Sequence, residues 1–288
     1  MAPYNARMLD ETCRLRDLVG VEDYARVVAL EQEIWGESYG DVVPVALLAV
    51  TIKRGGILIG AFDASDRLVG FVYSLVGLKD DRPIQWSHML GVVAGYRGSG
   101  LGRQLKLAQR RRALDQGLDL IEWTFDPLQA ANAHLNLHRL GAVADEYFEN
   151  VYGASSSPLH GRLPTDRLVA SWHIADPHVE RRLDHGARLD LRAAEIRDAP
   201  VALSTTRDGA WLRPDVHAGS SSSDRVLVQV PLGFTDLLRE APALAADWRS
   251  VTREILTGYL SRGYRVVDFF LDQARAAGSY LLATRGLK

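Results

Sequence analysis

Hydrophobic and polar positions in the first half of the chain follow the period of strands in some stretches and of helices in others. Alternation at 13–19 predicts a strand. Apolar residues Val27, Leu30 and Ile34 then recur at helical spacing, and a second helical stretch spans 43–53. The chain therefore begins with a strand followed by two helices.

Two apolar runs come next, GILIGAFDA at 56–64 and LVGFVYSLVGL at 68–78. A short polar turn separates them, so they predict an antiparallel hairpin. The run IQWSHMLGVVA at 84–94 predicts a third strand, and a glycine-rich segment follows it directly.

Beyond that segment, Leu101, Leu105 and Ala108 lie at i, i+4 and i+7 and predict a helix that ends near Gly117. The next strand must end before Pro127, because proline has no N–H for a ladder bond. The remaining elements of this half are a strand at 118–125, a helix that ends at 140–141, and strands at 143–152 and 167–174.

The second half is less regular at first. Residues 176–224 are charged and contain Pro200 and Pro214, so only a weak strand at 187–192 is predicted there. From 225 onward a strand, a helix and two strands follow, the order also found over 119–174. A degenerate internal copy is one interpretation, although no sequence repeat is visible. We expect two domains, 1–175 and a C-terminal α/β extension at 176–288.

Composition narrows the function classes. The 288 residues include 34 basic and 36 acidic side chains, a formal net charge of −2, so no basic field suggests nucleic acid or an anionic membrane as a partner. A single cysteine excludes an intramolecular disulfide framework. No apolar run has the length of a signal peptide or of a membrane span, and we expect a cytoplasmic protein.

The glycine-rich segment GVVAGYRGSGLGRQL at 91–105 has the composition of a phosphate-binding loop. A dinucleotide fingerprint would need glycine where Arg103 stands, and a Walker loop would need Gly-Lys-Ser/Thr, which is absent. The remaining phosphate-binding pattern is Arg-x-x-Gly-x-Gly, which matches residues 97–102 and lies between a strand and a helix N-terminus. That setting favours a pyrophosphate, although a strand-to-helix connection without a ligand is the alternative.

This segment resembles the acyl-CoA-binding motif of the GNAT superfamily of N-acyltransferases. The resemblance covers a little over half of the chain and implies an α/β fold, with a mixed, mostly antiparallel sheet flanked by helices. It implies acetyl-CoA or succinyl-CoA as the acyl donor, bound through its pyrophosphate and pantetheine. The implied donor-binding residues are Leu90, Val92, Arg97, Gly98, Ser99, Gly100, Leu101, Gly102 and Arg103. Lys106, one turn further along, could also reach the nucleotide phosphates.

A narrower resemblance rests on TFDPLQAANAHLNLHRLG and NVYGASSSPLHGRLPTDRL. These stretches are similar to a GNAT subgroup associated with N-acylamino acid racemases, some of whose members transfer succinyl groups to D-amino acids. The resemblance implies an amino acid as acceptor.

Candidate catalytic residues lie on the strands and the helix around the loop. The family commonly places a base on the strand before the loop, where this chain has His88; a hydrogen-bonded edge histidine is the alternative. Glu122 is a second candidate base, or a residue that faces solvent. The family's usual tyrosine acid is replaced by Leu137, so Asn136 could bond the thiolate or carbonyl instead, unless it belongs to an ordinary polar helix face.

An acceptor carboxylate would favour arginine, whose fork can donate to both oxygens. Arg162 and Arg167 are the candidates, each of which could instead anchor a loop. Asp126 could bind the acceptor ammonium or cap the following helix. His134 and His138 lack the glutamate of a metalloprotease helix, so no metal is expected.

The sequence thus predicts transfer of an acetyl or succinyl group to a small amine by direct attack in a ternary complex. Acetylation of another amine, such as an antibiotic or a peptide, and non-catalytic acyl-CoA binding are the alternatives. We expect no nucleic-acid or membrane partner, and a homodimer stays open.

Overall fold

The computed structural model describes residues 13–37, 39–153, 163–185, 199–217 and 223–284. The chain forms two compact units, Met1–Ile121 and Glu122–Lys288. Mostly antiparallel strands flanked by helices build the protein, so the predicted fold class is confirmed. The domain boundary at 175/176 stays a prediction.

The elements of the first unit match those predicted from its hydrophobic periods. Its strands pair in the order β1-β2-β3-β4, and each pair is antiparallel. The elements are β1 (Arg14–Asp17), α1 (Val21–Trp35), α2 (Val45–Lys53), β2 (Ile57–Phe62), β3 (Leu68–Lys79), β4 (Arg82–Val92) and α3 (Leu101–Asp115).

Two glycines let helices pack closely on both faces of this sheet. A Cβ at Gly91 would lie 2.8 Å from Ile34 Cδ1 of α1, and a Cβ at Gly70 would lie 3.4 Å from Leu105 Cδ1 of α3. Gly70 pairs with Val92, the residue after Gly91, and successive strand residues face opposite sides. Helices α1 and α3 therefore cover opposite faces of the sheet.

Strand β4 contains one extra residue opposite β3. Tyr73 pairs with Met89, and the next pair is Ser74 with Ser87, so His88 has no pairing partner on β3. Such a bulge re-aims side chains and increases the local twist of a strand. It places Ser87 on the α3 face and Met89 on the α1 face although only one residue separates them.

The chain enters the second unit along β5 (Leu120–Phe125). The strands of this unit follow the order β5-β7-β6-β11-β12-β10-β8-β9. Its other elements are α4 (Ala130–Ala133), which continues as a π-helical turn at His134–Arg139, β6 (Val143–Phe148), β7 (Arg167–His173), α5 (Pro177–His185), β8 (Val201–Asp208), β9 (Trp211–Val216), β10 (Arg225–Pro231), α6 (Phe234–Glu240), α7 (Pro242–Leu260), β11 (Arg265–Asp272) and β12 (Ala277–Ala283).

The stretch at 176–224 is more ordered than its sequence predicts. It contains α5, β8 and β9, none of which was expected, whereas the weak strand predicted at 187–192 lies outside the described residues. Pro214 is tolerated because β9 is the last strand in the sheet order, where one side needs no ladder bonds.

An internal repeat is visible in the topology. The series β5-α4-β6-β7 forms the strand order β5-β7-β6, and the series from β10 through α6 and α7 to β12 forms the order β10-β12-β11. The two sets meet where β6 pairs with β11, antiparallel, at Ala144 and Val266. The repeated element order in the sequence therefore corresponds to a repeated strand arrangement.

Candidate functional site

The loop between β4 and α3 turns at two glycines. Gly98 has φ 78° and Gly100 has φ 91°, left-handed values that other residues rarely adopt. Ser99 Oγ donates to Tyr96 O at 2.7 Å and closes the turn. A Cβ at Gly100 would meet no atom within 4 Å, so the space beside the loop is open.

Backbone donors at the start of α3 are available to a ligand. Within the described part of the chain, the N–H groups of Gly98, Ser99, Gly100 and Gly102 make no hydrogen bond, and the first helical bond runs from Gln104 N to Gly100 O at 3.1 Å. The loop is exposed at 97–100. The positive end of the α3 dipole adds to these donors, and together they suit an anion such as a pyrophosphate.

The predicted pantetheine contacts lie on the preceding strand. Leu90 and Val92 are half-buried and pair with Val72 and Gly70 of β3. Arg97 Nε donates to Val92 O at 3.0 Å. Pairing of a pantetheine arm with that carbonyl would require Arg97 to release it, and the contact stays a prediction.

The prediction that Lys106 could reach the nucleotide phosphates is wrong. Its side chain is buried, and Nζ donates to Ser87 Oγ at 2.8 Å and to Gln109 Oε1 at 3.2 Å. Burial lowers the pKa of Lys106 well below its usual value. Its amine lies beneath the sheet and cannot reach an exposed loop ligand. Arg103 is half-buried in the first turn of α3, and its role stays a prediction.

His88 is the unpaired residue of the β4 bulge. Its ring lies edge-on to the ring of Tyr73, with centroids 5.9 Å apart. The side chain is solvent-accessible, yet the surrounding protein displaces enough water to lower its pKa below the ordinary 6.5. His88 is therefore neutral, and able to accept a proton, at neutral pH.

A buried polar group near Tyr73 escaped the sequence analysis. Tyr73 OH lies 2.7 Å from Thr51 Oγ1, which itself donates to Leu47 O at 2.8 Å, so the tyrosine is the donor to the threonine. Glu31 is fully buried and accepts from Val43 N at 2.9 Å, while its Oε1 has no partner among the described residues. Burial raises the pKa of Glu31 to about 7.

A signal for Glu31 was present in the sequence. It stands four residues after Val27 and one after Leu30, within the apolar stripe of α1. A carboxylate at a core-facing position of a helix is rarely incidental. This carboxylate anchors Val43, in the segment that leads into α2.

In the second unit, the two remaining catalytic candidates are buried. Glu122 on β5 accepts a 2.6 Å hydrogen bond from Ser171 Oγ on β7, so the expectation that it could simply face solvent is wrong. Asn136 is buried in the π-helical turn, a geometry frequent at functional sites. The expected regular helix up to 140–141 is therefore short and ends in this wider turn.

Asp126 is held by an arginine from the C-terminal segment. Arg249 Nη1 donates to Oδ1 at 2.8 Å and Nη2 to Oδ2 at 2.6 Å. Leu128 N also donates to Oδ1 at 2.8 Å. Both oxygens of Asp126 are engaged. Leu128 precedes α4, which has no side-chain cap, so the expectation that Asp126 caps that helix is wrong. Contact of Asp126 with an acceptor ammonium stays a prediction.

Arg167 is buried at the start of β7. Its guanidinium lies over the ring of Tyr152, 5.2 Å from the centroid, and Nη1 donates to Asp166 O at 2.8 Å. Burial lowers the pKa of this arginine. Tyr152 OH in turn lies 2.9 Å from Thr124 Oγ1 of β5. Arg162, the second arginine predicted to bind the acceptor, lies outside the described residues.

A second buried carboxylate lies beside Arg167. Asp166 accepts two hydrogen bonds from Arg253 of α7, at 2.7 and 2.8 Å, and one from Tyr147 OH at 2.8 Å. Burial opposes ionisation of Asp166, but these bonds outweigh it and lower its pKa. Helix α7 thus supplies one arginine to each of two carboxylates at this end of the sheet, a feature that no local sequence pattern indicated.

Metal-binding clusters and membrane-spanning helices are both absent from the described residues. Among them, no group of three or more histidine, cysteine, aspartate or glutamate side chains could hold a metal ion, although the rings of His134 and His138 stack 4.8 Å apart. None of the helices in these ranges is long and apolar enough to cross a membrane.

No family model matches the sequence, and no curated protein matches it significantly. Solved structures share parts of the fold. The GCN5-related glucosamine N-acetyltransferase region of a fungal multi-domain GH3 beta-N-acetylglucosaminidase is 23% identical over 40% of this chain and 14% of its own, with a TM-score of 0.33. A GNAT-family acetyltransferase from Streptococcus pneumoniae is 17% identical over 55% of this chain and 98% of its own, with a TM-score of 0.45. A GNAT-family N-acetyltransferase from Escherichia coli in complex with CoA is 21% identical over 42% of this chain and 67% of its own, with a TM-score of 0.34.

Proposed function

We propose that this protein is an acyl-CoA-dependent N-acyltransferase. The observation that carries the proposal is the exposed loop at 97–100, with its unbonded N–H groups at the start of α3, directly after a strand whose bulge presents His88. The loop motif's resemblance to the GNAT superfamily supports the same donor.

The residues present fit an acyl-CoA pyrophosphate. The N–H groups of Gly98, Ser99, Gly100 and Gly102 would donate to its oxygens, and Arg103 in the first turn of α3 would add positive charge. Acyl-CoA supplies the activated thioester, so the protein's tasks are to orient the two substrates and to move protons.

Transfer forms one bond and breaks another. The amine nitrogen attacks the thioester carbonyl, the C–N bond forms, and collapse of the tetrahedral intermediate breaks the C–S bond. His88 accepts the proton that the nitrogen loses. The thiolate leaves with a hydrogen bond from Asn136, in place of the tyrosine that Leu137 replaces, and takes its proton from solvent. Glu122, already bonded to Ser171, is the alternative base.

For the acceptor we propose an amino acid, with acetyl or succinyl as the transferred group. Arg167 is the candidate for the acceptor carboxylate, because its planar guanidinium is held over Tyr152 and by the bond from Nη1 to Asp166 O, and arginine is suited to carboxylate recognition. The resemblance of 124–141 and 150–168 to a succinyl-transferring subgroup supports a succinyl donor and a D-amino acid.

Donor binding is tested at Gly102, which has no left-handed φ and lies in the first turn of α3. Gly102→Glu suits the helix dipole and should keep the fold, but its carboxylate repels a pyrophosphate. We expect at least a tenfold loss of CoA affinity by calorimetry. Gln104→Glu adds the same charge at an exposed position two residues later and should bind CoA normally. Equal affinities would refute the loop assignment.

The reaction is tested by measuring CoA release from acetyl-CoA and succinyl-CoA with panels of D- and L-amino acids. CoA release that depends on one of the amino acids would support the proposal. CoA release that occurs only with a different kind of amine would mean that the acceptor is that amine and not an amino acid. Tight CoA binding with no amine-dependent release would favour an acyl-CoA-binding protein instead.

A further inference from the structure

The second unit contains a cavity of about 520 Å³ beside the N-terminus of α5. Its apolar floor is formed by Val143 at the start of β6, Val179 of α5 and Val267 of β11. A volume of this size and an apolar lining are typical of small-molecule sites.

The rim of the cavity is polar and mostly basic. Arg181 and Arg265 line it, together with His173, His178 and Asp176. Asp176 Oδ1 accepts from His178 N at 2.6 Å and so caps the first turn of α5. Arg265 Nε lies 3.3 Å from Asp145, whereas the Arg181 side chain forms no hydrogen bond or ion pair with any described residue. The lining thus holds an exposed guanidinium from the middle of the nine-residue helix α5, whose N-terminal residues also border the cavity.

Helix α5 is held rigidly where it borders the cavity. Arg182, adjacent to Arg181, donates to buried Asp268 Oδ2 at 3.1 and 3.2 Å and to His138 O at 3.0 Å. The chain makes room for it at Gly141, where a Cβ would lie 3.4 Å from the Arg182 side chain. This buried anchor fixes the backbone of α5 beside Arg181, so the exposed Arg181 side chain projects from a defined position.

The cavity is distinct from the acceptor site proposed above. His173 and Arg167 mark the two ends of β7. Six steps along the strand, each of about 3.3 Å, separate them by about 20 Å. A small ligand in the cavity therefore cannot touch Arg167, and the inference does not depend on the proposed function.

We infer that this cavity is a binding site for a small organic anion with an apolar body, such as a carboxylate or sulfonate on a hydrocarbon group. The anionic group pairs with Arg181, and Arg265, whose charge is shared with Asp145, borders the same cavity. The apolar body covers the three valines.

The probe is 8-anilino-1-naphthalenesulfonate, compared with N-phenyl-1-naphthylamine, which has the same rings without the sulfonate. Fluorescence titration of the full chain should show saturable binding of the sulfonate, and the neutral amine should bind at least tenfold more weakly. Arg181→Gln should weaken sulfonate binding about tenfold, because one charge-assisted hydrogen bond is lost, and leave the amine unaffected. Arg275→Gln, at an exposed turn, removes the same charge and should change neither titration.

A second variant, Val143→Phe, fills the cavity from its half-buried floor and should also weaken sulfonate binding, with circular dichroism as the check on folding. The inference is overturned by any of three results: no saturable binding, equal affinity of the two dyes, or equal sulfonate affinity of the wild type and Arg181→Gln.

Discussion

Arg249 and Asp126 form a two-pronged ion pair that is almost completely buried, with side-chain exposures of 4% and 5%. The pair joins residues 123 positions apart in the sequence. Because a charge removed from water is costly without its partner, the stability of the second unit depends on both residues together.

Removal of Arg249 alone should destabilise the protein strongly. We expect Arg249→Leu to lower the free energy of unfolding by about 3–5 kcal/mol, since Asp126 is then left buried and uncompensated. Asp126→Asn combined with Arg249→Leu should recover much of the loss. Urea denaturation of both single variants and the double variant measures the coupling, and strictly additive effects would contradict a dependence of each residue on the other.

Glu31 should make stability fall as pH rises. Its folded pKa of about 7 exceeds the ordinary 4.5, so its contribution is fully present below about pH 4.5 and is lost as pH rises through about 7. The difference corresponds to about 3 kcal/mol. Glu31→Gln keeps an acceptor for Val43 N and should be more stable than wild type above pH 7, with the advantage shrinking towards pH 4.

Urea denaturation from pH 4 to pH 8 tests this. Glu33→Gln changes an exposed carboxylate on the same helix and should leave the slope of stability against pH unaltered. A wild-type advantage at pH 8 over Glu31→Gln would show that the buried carboxylate is stabilising when charged.

His88 should set the acidic limb of the activity profile. A general base works only when neutral, and the lowered pKa of His88 places the fall in kcat/KM below pH 6.5. His88→Gln should reduce kcat about 10²- to 10⁴-fold and abolish that limb, with CoA affinity unchanged. His217→Gln is the control for loss of a histidine. An intact acidic limb in His88→Gln would transfer the role of base to another group.

Arg103 and Lys106, three residues apart on α3, should differ in their effect on donor binding. Arg103→Gln should lower CoA affinity about tenfold or more, because a charge-assisted bond to phosphate is lost. Lys106→Met removes a buried amine and should leave CoA affinity unchanged, although Gln109 loses a donor and stability falls by about 1–2 kcal/mol. Calorimetric titration with CoA separates the two, and a loss of affinity in both variants would mean that Lys106 leaves its buried position.

Local periodicity predicted the elements that bury a continuous apolar face. It missed α5 because Val179 and Leu183 are the only aliphatic residues on that helix, and it missed β9 because Pro214 argued against a strand. The π-helical turn at His134–Arg139 follows from packing that no local pattern encodes.

The candidate site divides in the same way. Glycine spacing was enough to indicate the loop, because left-handed backbone at Gly98 and Gly100 demands that residue type. The bulge at His88 depends on the register against β3, and the partners of Asp126 and Asp166 come from α7. Such relationships between distant segments are set by tertiary structure.

The two repeats of the second unit are joined by ion pairs, so the C-terminal repeat cannot be removed without loss of these contacts. Helix α7 of the later repeat supplies Arg249 and Arg253 to carboxylates of the earlier repeat. Asp268 of the later repeat lies 3.1 Å from Nδ1 of His138 in the earlier repeat. Truncation after β7 would remove the arginine partners of the buried carboxylates Asp126 and Asp166. We therefore expect the two repeats to unfold in one cooperative transition, and neither repeat to fold when it is expressed alone.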